Sequence, residues 1–214
     1  MTEVKFCGLT RRHDADYAAR LGARYCGVIF AGGPRHISLE HAAEILPPLV
    51  TRVGVFGTRP TEEIAEMASA LGLDVIQLHA DPTVDDVERL RPHFGGAIWA
   101  AVRATGEKLP PTAAALFAAA DAVLLEARVP GALGGTGTTL PWAAVATAVE
   151  RARGATGRLV LAGGLTPDNV AHAIGILSPD VVDVSTGVER SPGIKDHARM
   201  EAFAAAAHSG LRTP

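Results

Sequence analysis

Cysteine is scarce in this 214-residue chain, which contains only Cys7 and Cys26. Two cysteines in a chain of this length cannot supply the disulfide framework that small secreted domains use. The expected setting is therefore a reducing compartment, and we expect a cytoplasmic protein.

A basic excess is also missing, because 20 lysine and arginine residues face 23 aspartate and glutamate residues, leaving a formal net charge of −3. A nucleic-acid surface needs a basic excess on at least one face of the protein. The composition therefore predicts no nucleic-acid partner.

Long apolar runs are absent as well. No stretch reaches the roughly 18 apolar residues that a bilayer span requires, and the N-terminal MTEVKFCGLTRR lacks the apolar segment of a signal peptide. We therefore expect no membrane partner. Hydrophobic residues still make up 48% of the chain, enough for a substantial core, and no linker divides it. The sequence predicts one domain over residues 1–214.

What the chain does contain is a repeat of short apolar, β-branched runs separated by Ala-, Leu- and Glu-rich segments with helical spacing. Eight strands alternating with eight helices are typical of an α/β fold, the single-domain (β/α)8 or TIM barrel. A doubly wound open sheet shares this alternation, but the first turn, CGLTRRHD, lacks its G-x-G-x-x-G fingerprint. The predicted strands are Val4–Leu9, Tyr25–Phe30, Arg52–Gly57, Asp74–His79, Ala97–Val102, Asp121–Glu126, Arg158–Gly163 and Val181–Thr186.

Two glycine-containing loops follow the last two predicted strands, where barrel enzymes commonly bind phosphate. LAGGLTPDN places Gly163 and Gly164 after strand seven, and VDVSTGVERSPG places Ser185, Thr186 and Gly187 after strand eight. Glycine lets the backbone approach an anion, and free N–H groups at a helix start can hold it. The alternative is that the glycine pair only forms a tight turn.

A third glycine loop, GGTG at residues 134–137, follows predicted strand six. Beside the other two loops, Gly135 and Gly137 could wrap the phosphate end of a ligand. A mobile loop with no ligand would have the same composition.

Two residues near strand ends are candidates for acid–base chemistry. Cys7 could serve as a base or nucleophile if its pKa were lowered, although free cysteine is often simply buried. Glu126 closes the apolar run AVLLE, where a carboxylate must face the barrel mouth or be buried at high cost. It is a candidate acid–base group, and the alternative is an ion pair with a neighbouring arginine.

Two further charged residues lie close to the expected mouth. Arg35, in GGPRHIS, is suited to clamping a carboxylate, although a loop arginine can equally be a solvated charge. Asp183 should share one side of strand eight with Ser185, because side chains alternate along a strand. A structural or orienting role is favoured for it.

Metal and Schiff-base chemistry are not indicated. The histidines form no H-x-H or H-E-x-x-H pattern, and only His79, in QLHA, stands at a predicted strand end, so no metal site is expected. The only lysines are Lys5, Lys108 and Lys195, and none clearly ends a strand inside the barrel. This disfavours a Schiff-base aldolase.

Together, these motifs resemble the phosphoribosylanthranilate isomerase family of tryptophan biosynthesis. The resemblance runs from about Lys5 to Asp196 and rests on several elements in family order. They are KFCGLTRRHDADYAARLGARYCGVIF, PRHIS, VGVF, QLHA, LGGTG, LAGGLTPDNV and VDVSTGVERSPGIKD.

The resemblance implies an Amadori rearrangement of N-(5-phosphoribosyl)anthranilate that requires no metal and no organic cofactor. An acid protonates the furanose ring oxygen, and a base then removes the C2 proton. It implies that Cys7 is the base and that Arg35 meets the anthranilate carboxylate of a phosphorylated small-molecule substrate. It also implies that the loops after strands six, seven and eight hold the phosphate.

Glu126 departs from the family pattern, in which the acid is an aspartate. A misplacement of about 1 Å in a catalytic group can cost on the order of 10²-fold in rate. Two alternatives to the isomerase therefore stay open. One is a specialised relative acting on another phosphorylated or aromatic-carboxylate substrate in secondary metabolism, and the other is a non-catalytic barrel that binds phosphate ligands. Monomer and homodimer are both left open.

Overall fold

In a computed structural model, which describes residues 2–128 and 138–209, eight parallel strands close into a barrel in the order β1 to β8. They are β1 (Glu3–Phe6), β2 (Tyr25–Ile29), β3 (Thr51–Phe56), β4 (Val75–Leu78), β5 (Ala97–Ala104), β6 (Ala122–Ala127), β7 (Leu159–Leu161) and β8 (Val181–Val184). Closure comes from pairing of the last strand with the first, Val181 opposite Glu3 and Val184 opposite Phe6. The predicted (β/α)8 barrel is confirmed, because an open doubly wound sheet would not pair β8 with β1.

Helices follow the strands around the outside. They are α1 (Arg12–Arg20), α2 (Leu39–Ile45), α3 (Thr61–Leu71), α4 (Val84–Leu90), α5 (Ala113–Ala119), α6 (Trp142–Arg153), α7 (Val170–Leu177) and α8 (His197–Ser209). Side chains fix some of their starts: Ser38 accepts a hydrogen bond from the backbone N–H of His41, and Thr83 forms a capping box with Asp86. Within the described residues, no helix is long and apolar enough to cross a membrane.

Some strands end earlier than the apolar runs that predicted them. β1 ends at Phe6 rather than Leu9, and β7 ends at Leu161 rather than Gly163. Beyond these points the backbone turns over the barrel mouth, and Gly8 and Gly163 have φ angles of +65° and +86° that no strand residue adopts. The residues between the observed and the predicted ends of β1 and β7 therefore form part of the barrel mouth.

One element is not predicted by the strand–helix repeat. After β8, a 3₁₀ turn (Thr186–Val188) leads into a short antiparallel hairpin of β9 (Glu189–Ser191) and β10 (Ile194–Lys195). The hairpin buries the charged side chains of Glu189 and Lys195.

The barrel interior has an apolar part and a polar part. Most of the interior is an apolar cluster, as expected for a packed barrel. Its residues are Tyr25, Val53, Val75, Trp99, Ala101, Ala122, Leu124, Val160, Ala162 and Val181. Toward the carboxyl ends of the strands, Lys5, Gln77 and Asp183 form a hydrogen-bonded polar layer. Because side chains alternate along a strand, the residues two positions further on point into the mouth.

The outer face of β1 depends on packing against the last helix. Phe6 and Phe203 are fully buried, with ring centroids 6.1 Å apart. We expect Phe203→Ala to lower the free energy of unfolding by about 3–5 kcal/mol, because it leaves a cavity between β1 and α8. Urea unfolding measures this change, with Leu49→Ala as the control because Leu49 is 94% exposed. A loss below about 1 kcal/mol for Phe203→Ala would contradict this packing.

Candidate active site

A cavity of about 340 Å³ opens at the carboxyl ends of the strands. Seven of the residues predicted from the sequence line this one cavity. They are Cys7, Arg35, Glu126, Gly163, Gly164, Ser185 and Thr186. The fold therefore brings together side chains that lie almost 180 residues apart in the sequence.

Cys7 lies one residue beyond β1, held by a backbone hydrogen bond of 2.9 Å from its N–H to the carbonyl of Val184. Burial raises the pKa of its thiol, while the nearby ammonium groups of Lys5 and Lys195 act in the opposite direction. Cys26 is buried on the outer face of β2, as predicted for a core residue, and burial raises its pKa to about 12. The cysteine that faces the cavity is therefore Cys7.

Glu126 lies in β6 and is only 5% exposed. Its Oε1 atom is buried and accepts no hydrogen bond from the residues described. The nearest cationic or potentially cationic partner is His79, whose Nε2 lies 3.4 Å from Oε1. The neighbouring arginines, Arg103 and Arg128, pair with Asp81 instead, so the alternative of an arginine ion pair is not what the structure shows.

The two predicted phosphate loops contact each other. A Cβ on Gly187 would lie 1.9 Å from the carbonyl oxygen of Leu165, so only glycine allows this approach of the loop after β8 to the loop after β7. Asn169 stabilises the loop after β7. Its amide donates to the carbonyl of Gly164 at 2.9 Å, and its Oδ1 accepts from the N–H of Thr166 at 2.8 Å. The third predicted loop, with Gly135 and Gly137, lies outside the described residues.

Arg35 is held by a carboxylate of its own chain. Its Nε and Nη2 atoms donate to the two oxygens of Glu189 at 2.8 and 2.7 Å. Burial alone would raise the pKa of Glu189, but hydrogen bonds from Arg35 and Lys195 outweigh it and hold that pKa below its usual range. Lys195 also donates to the backbone carbonyl of Ser185 at 3.0 Å. The β9–β10 hairpin thus positions both Arg35 and the start of the loop after β8.

Lys5 lies within β1 and points into the barrel, two residues before Cys7, without ending the strand. Its ammonium group donates to Asp183 Oδ2 at 2.9 Å and to Gln77 Oε1 at 3.0 Å. Burial would lower its pKa, but the charge of Asp183 and the contact with Cys7 outweigh this effect and raise it. Asp183 therefore orients Lys5, in agreement with the structural role predicted for it.

Among the buried polar residues, the sequence does not identify Lys5, Gln77, Glu189 and Lys195 as parts of the site. Strand alternation offered a signal for two of them, because Lys5 precedes Cys7 by two residues and Gln77 precedes His79 by two. Glu189 and Lys195 belong to a hairpin that the strand–helix repeat did not indicate. Within residues 2–128 and 138–209, no three His, Cys, Asp or Glu side chains are grouped so as to hold a metal ion.

A family model described as N-(5'-phosphoribosyl)anthranilate (PRA) isomerase matches residues 4–206. The chain belongs to this family. It is 42% identical to the N-(5'-phosphoribosyl)anthranilate isomerase of Pseudomonas aeruginosa strain LESB58 over 213 residues, which cover 98% of this chain and 96% of that relative. The resemblance predicted from the motifs is therefore confirmed.

Solved structures of the phosphoribosylanthranilate isomerase family share the same architecture. That of the enzyme from Thermotoga maritima is 34% identical, with a TM-score of 0.86, and the match covers 98% of this chain and 100% of that one. Another, 33% identical with a TM-score of 0.83, covers 98% and 100% of the two chains. That relative was solved in complex with reduced 1-(o-carboxyphenylamino)-1-deoxyribulose 5-phosphate.

The difference in access between the two thiols leads to a chemical test. We expect iodoacetamide to alkylate Cys7 before Cys26, because only Cys7 lines the cavity among the described residues. The thiolate is the reactive form, and burial raises the pKa of Cys7. The alkylation rate should therefore keep rising above pH 8.5, about the ordinary thiol pKa. Mass spectrometry of peptides from timed reactions measures both effects. Preferential labelling of Cys26, or a plateau below pH 8.5, would contradict this description.

Proposed function

We propose that the protein catalyses the Amadori rearrangement of N-(5-phosphoribosyl)anthranilate to 1-(2-carboxyphenylamino)-1-deoxyribulose 5-phosphate, a step of tryptophan biosynthesis. The observation that carries this proposal is the pairing of Cys7 with Glu126 across one cavity of a barrel in this family. One group can remove a proton while the other supplies one. A solved relative that binds a reduced form of this ketose phosphate supports the substrate class.

Glu126 is the proposed acid, and its surroundings suit that role. A proton from its carboxyl group passes to the furanose ring oxygen, and the C1–O bond breaks with its electron pair going to that oxygen. The nitrogen lone pair forms the C1=N bond of a Schiff base. Because Oε1 is buried and has no hydrogen-bond donor among the described residues, protein hydrogen bonds do not already occupy this oxygen.

Cys7 is the proposed base. Its thiolate removes the C2 proton of the Schiff base, the electrons of the C–H bond form the C1=C2 bond, and the π electrons of the C1=N bond return to nitrogen, which gives an enolamine. The enolamine then tautomerises to the ketone when C1 gains a proton and the C2 hydroxyl loses one. The ammonium groups of Lys5 and Lys195 favour the thiolate form of Cys7 against the effect of burial.

The two ends of the substrate need different partners. We assign the phosphate to the loops after β7 and β8, where Gly163, Gly164, Ser185 and Thr186 line the cavity. We assign the anthranilate carboxylate to Arg35. Because Glu189 accepts from Nε and Nη2 of Arg35, the Nη1 donors are left to form a charge-assisted bond with a ligand.

The alternatives are less well supported. A non-catalytic barrel has no need of a thiol in the same cavity as a buried carboxyl group whose oxygen lacks a partner among the described residues. A specialised relative with another substrate is motivated only by the glutamate at position 126. The match to curated isomerases over nearly the whole chain favours the family reaction.

The direct test is an assay of the purified protein with N-(5-phosphoribosyl)anthranilate, followed by loss of anthranilate fluorescence. We expect turnover by the wild type and a loss of at least about 10²-fold in kcat for Cys7→Ser, because a hydroxyl group is a far weaker base near neutral pH. Binding of a reduced product analogue should stay within a few-fold. Cys26→Ser is the matched control and should keep wild-type kcat. Full activity of Cys7→Ser would exclude Cys7 as the base.

Variants at position 126 test the acid. Glu126→Gln keeps the shape but cannot deliver a proton, so we expect kcat to fall by about 10²-fold or more with little change in analogue binding. Glu126→Asp should also lower kcat, by about 10-fold or more, because it withdraws the carboxyl group from its place beside His79. Steady-state kinetics measure both values. An increase in kcat for Glu126→Asp would instead favour the specialised relative.

A further inference from the structure

A chain of polar contacts crosses the barrel beneath the cavity and joins Asp183 to Glu126. Lys5 Nζ donates to Asp183 Oδ2 at 2.9 Å and to Gln77 Oε1 at 3.0 Å. Gln77 Nε2 lies 3.2 Å from His79 Nδ1, and His79 Nε2 lies 3.4 Å from Glu126 Oε1. The five side chains come from four different strands or strand ends.

The chemistry of Lys5 fixes the direction of these contacts. An ammonium group can only donate hydrogen bonds, so Gln77 must turn its oxygen toward Lys5 and its NH₂ group toward His79. The NH₂ group donates, so Nδ1 of His79 must be the unprotonated, accepting nitrogen. A neutral imidazole carries its one proton on the other nitrogen. That nitrogen is Nε2, the atom that faces Glu126.

Because these side chains are buried, water cannot replace the hydrogen bonds between them. Lys5 and Gln77 are 0% and 1% exposed, and His79 is 8% exposed. Solvent is therefore largely kept from these groups, and a reversed amide would place two donors, the NH₂ and the ammonium group, against each other. Leaving buried polar groups unpaired costs more than the net gain of an ordinary hydrogen bond.

We propose that Lys5 and Gln77 hold His79 as the neutral Nε2–H tautomer. In this proposal His79 is a positioning residue, which donates a hydrogen bond to the carboxylate of Glu126 after Glu126 has given up its proton. The separation of 3.4 Å is slightly longer than a hydrogen bond. A full negative charge on the carboxylate would shorten it, since bonds to ionised acceptors are shorter and stronger. His79 thus supports the acid by stabilising its conjugate base.

This role of His79 rests on the proposed function, since it assumes that Glu126 gives up a proton during the reaction. The tautomer itself does not, because it follows from the hydrogen-bonding groups alone. The two parts can therefore be measured separately.

The tautomer is tested by ¹⁵N NMR of the histidine rings in the unliganded full-length protein near neutral pH. Resonances that disappear in His79→Gln identify His79, and we expect the shifts of a neutral ring with its proton on Nε2. In Gln77→Leu, which removes the donor to Nδ1, the ring should lose this preference and show averaged shifts. An Nδ1–H or fully protonated ring in the wild type, or an unchanged tautomer in Gln77→Leu, would overturn the proposal.

The role in turnover is tested by two replacements at one position. His79→Leu removes the donor and should lower kcat by about 10- to 100-fold with KM within about threefold, as for loss of a hydrogen bond to a charged group. His79→Gln keeps an N–H donor near the position of Nε2 and should recover most of this loss. His93→Gln, at an exposed histidine outside the cavity, is the control and should keep wild-type kinetics.

The outcomes separate the two ideas. If the wild type does not turn over the anthranilate substrate, the proposed function fails, while NMR still decides the tautomer. If His79→Leu keeps full kcat, or if His79→Gln is as slow as His79→Leu, then donation to Glu126 is wrong even where the isomerase activity stands. Should His79→Leu fail to fold, the NMR measurement and His79→Gln still decide the proposal.

Discussion

A buried ammonium group at the centre of the barrel constrains the rest of the site. Removing Lys5 from water is costly unless its charge is paired and its hydrogen-bond donors are satisfied. Asp183 on β8 supplies the opposite charge, Gln77 on β4 supplies an amide oxygen, and Cys7 supplies a polarisable sulfur. These partners lie on different strands, so satisfying Lys5 fixes how the strands are placed around it. The same ammonium group then acts on both the proposed base and, through Gln77, the surroundings of the proposed acid.

The repeat of apolar runs predicted the barrel well, because strands covered by helices must be apolar on both faces. The same reasoning placed Cys7 and Glu126 at the barrel mouth, because a polar residue at the end of an apolar strand must otherwise be buried in the core. The pairing of Lys5 with Asp183 was not predictable in this way. It depends on closure between strands that are 178 residues apart, and on a register that local sequence does not specify. Arg35 and Glu189 show the same limit, since their contact spans 154 residues and requires a hairpin that the repeat does not contain.

The glutamate at position 126 is easier to understand in the folded chain than in the sequence. Its longer side chain brings the carboxyl group beside His79, on a strand end that is not adjacent to β6 in the barrel. Gly163 lies against the base of this side chain, and a Cβ at position 163 would stand only 3.3 Å from the Cβ of Glu126. Glycine at 163 therefore leaves room for the residue at 126, and the contact with His79 is what the extra methylene of glutamate adds.

The closing pair also bears on how the protein reaches its native state. Lys5 leaves the ribosome long before Asp183, which emerges only after β1 to β7 have been made. Until then the ammonium group has no anionic partner at the barrel centre, so early strands that buried it would be penalised. Contacts of such large sequence separation slow folding, because loop-closure entropy is lost before they form. We therefore expect the barrel centre to be completed only when β8 arrives.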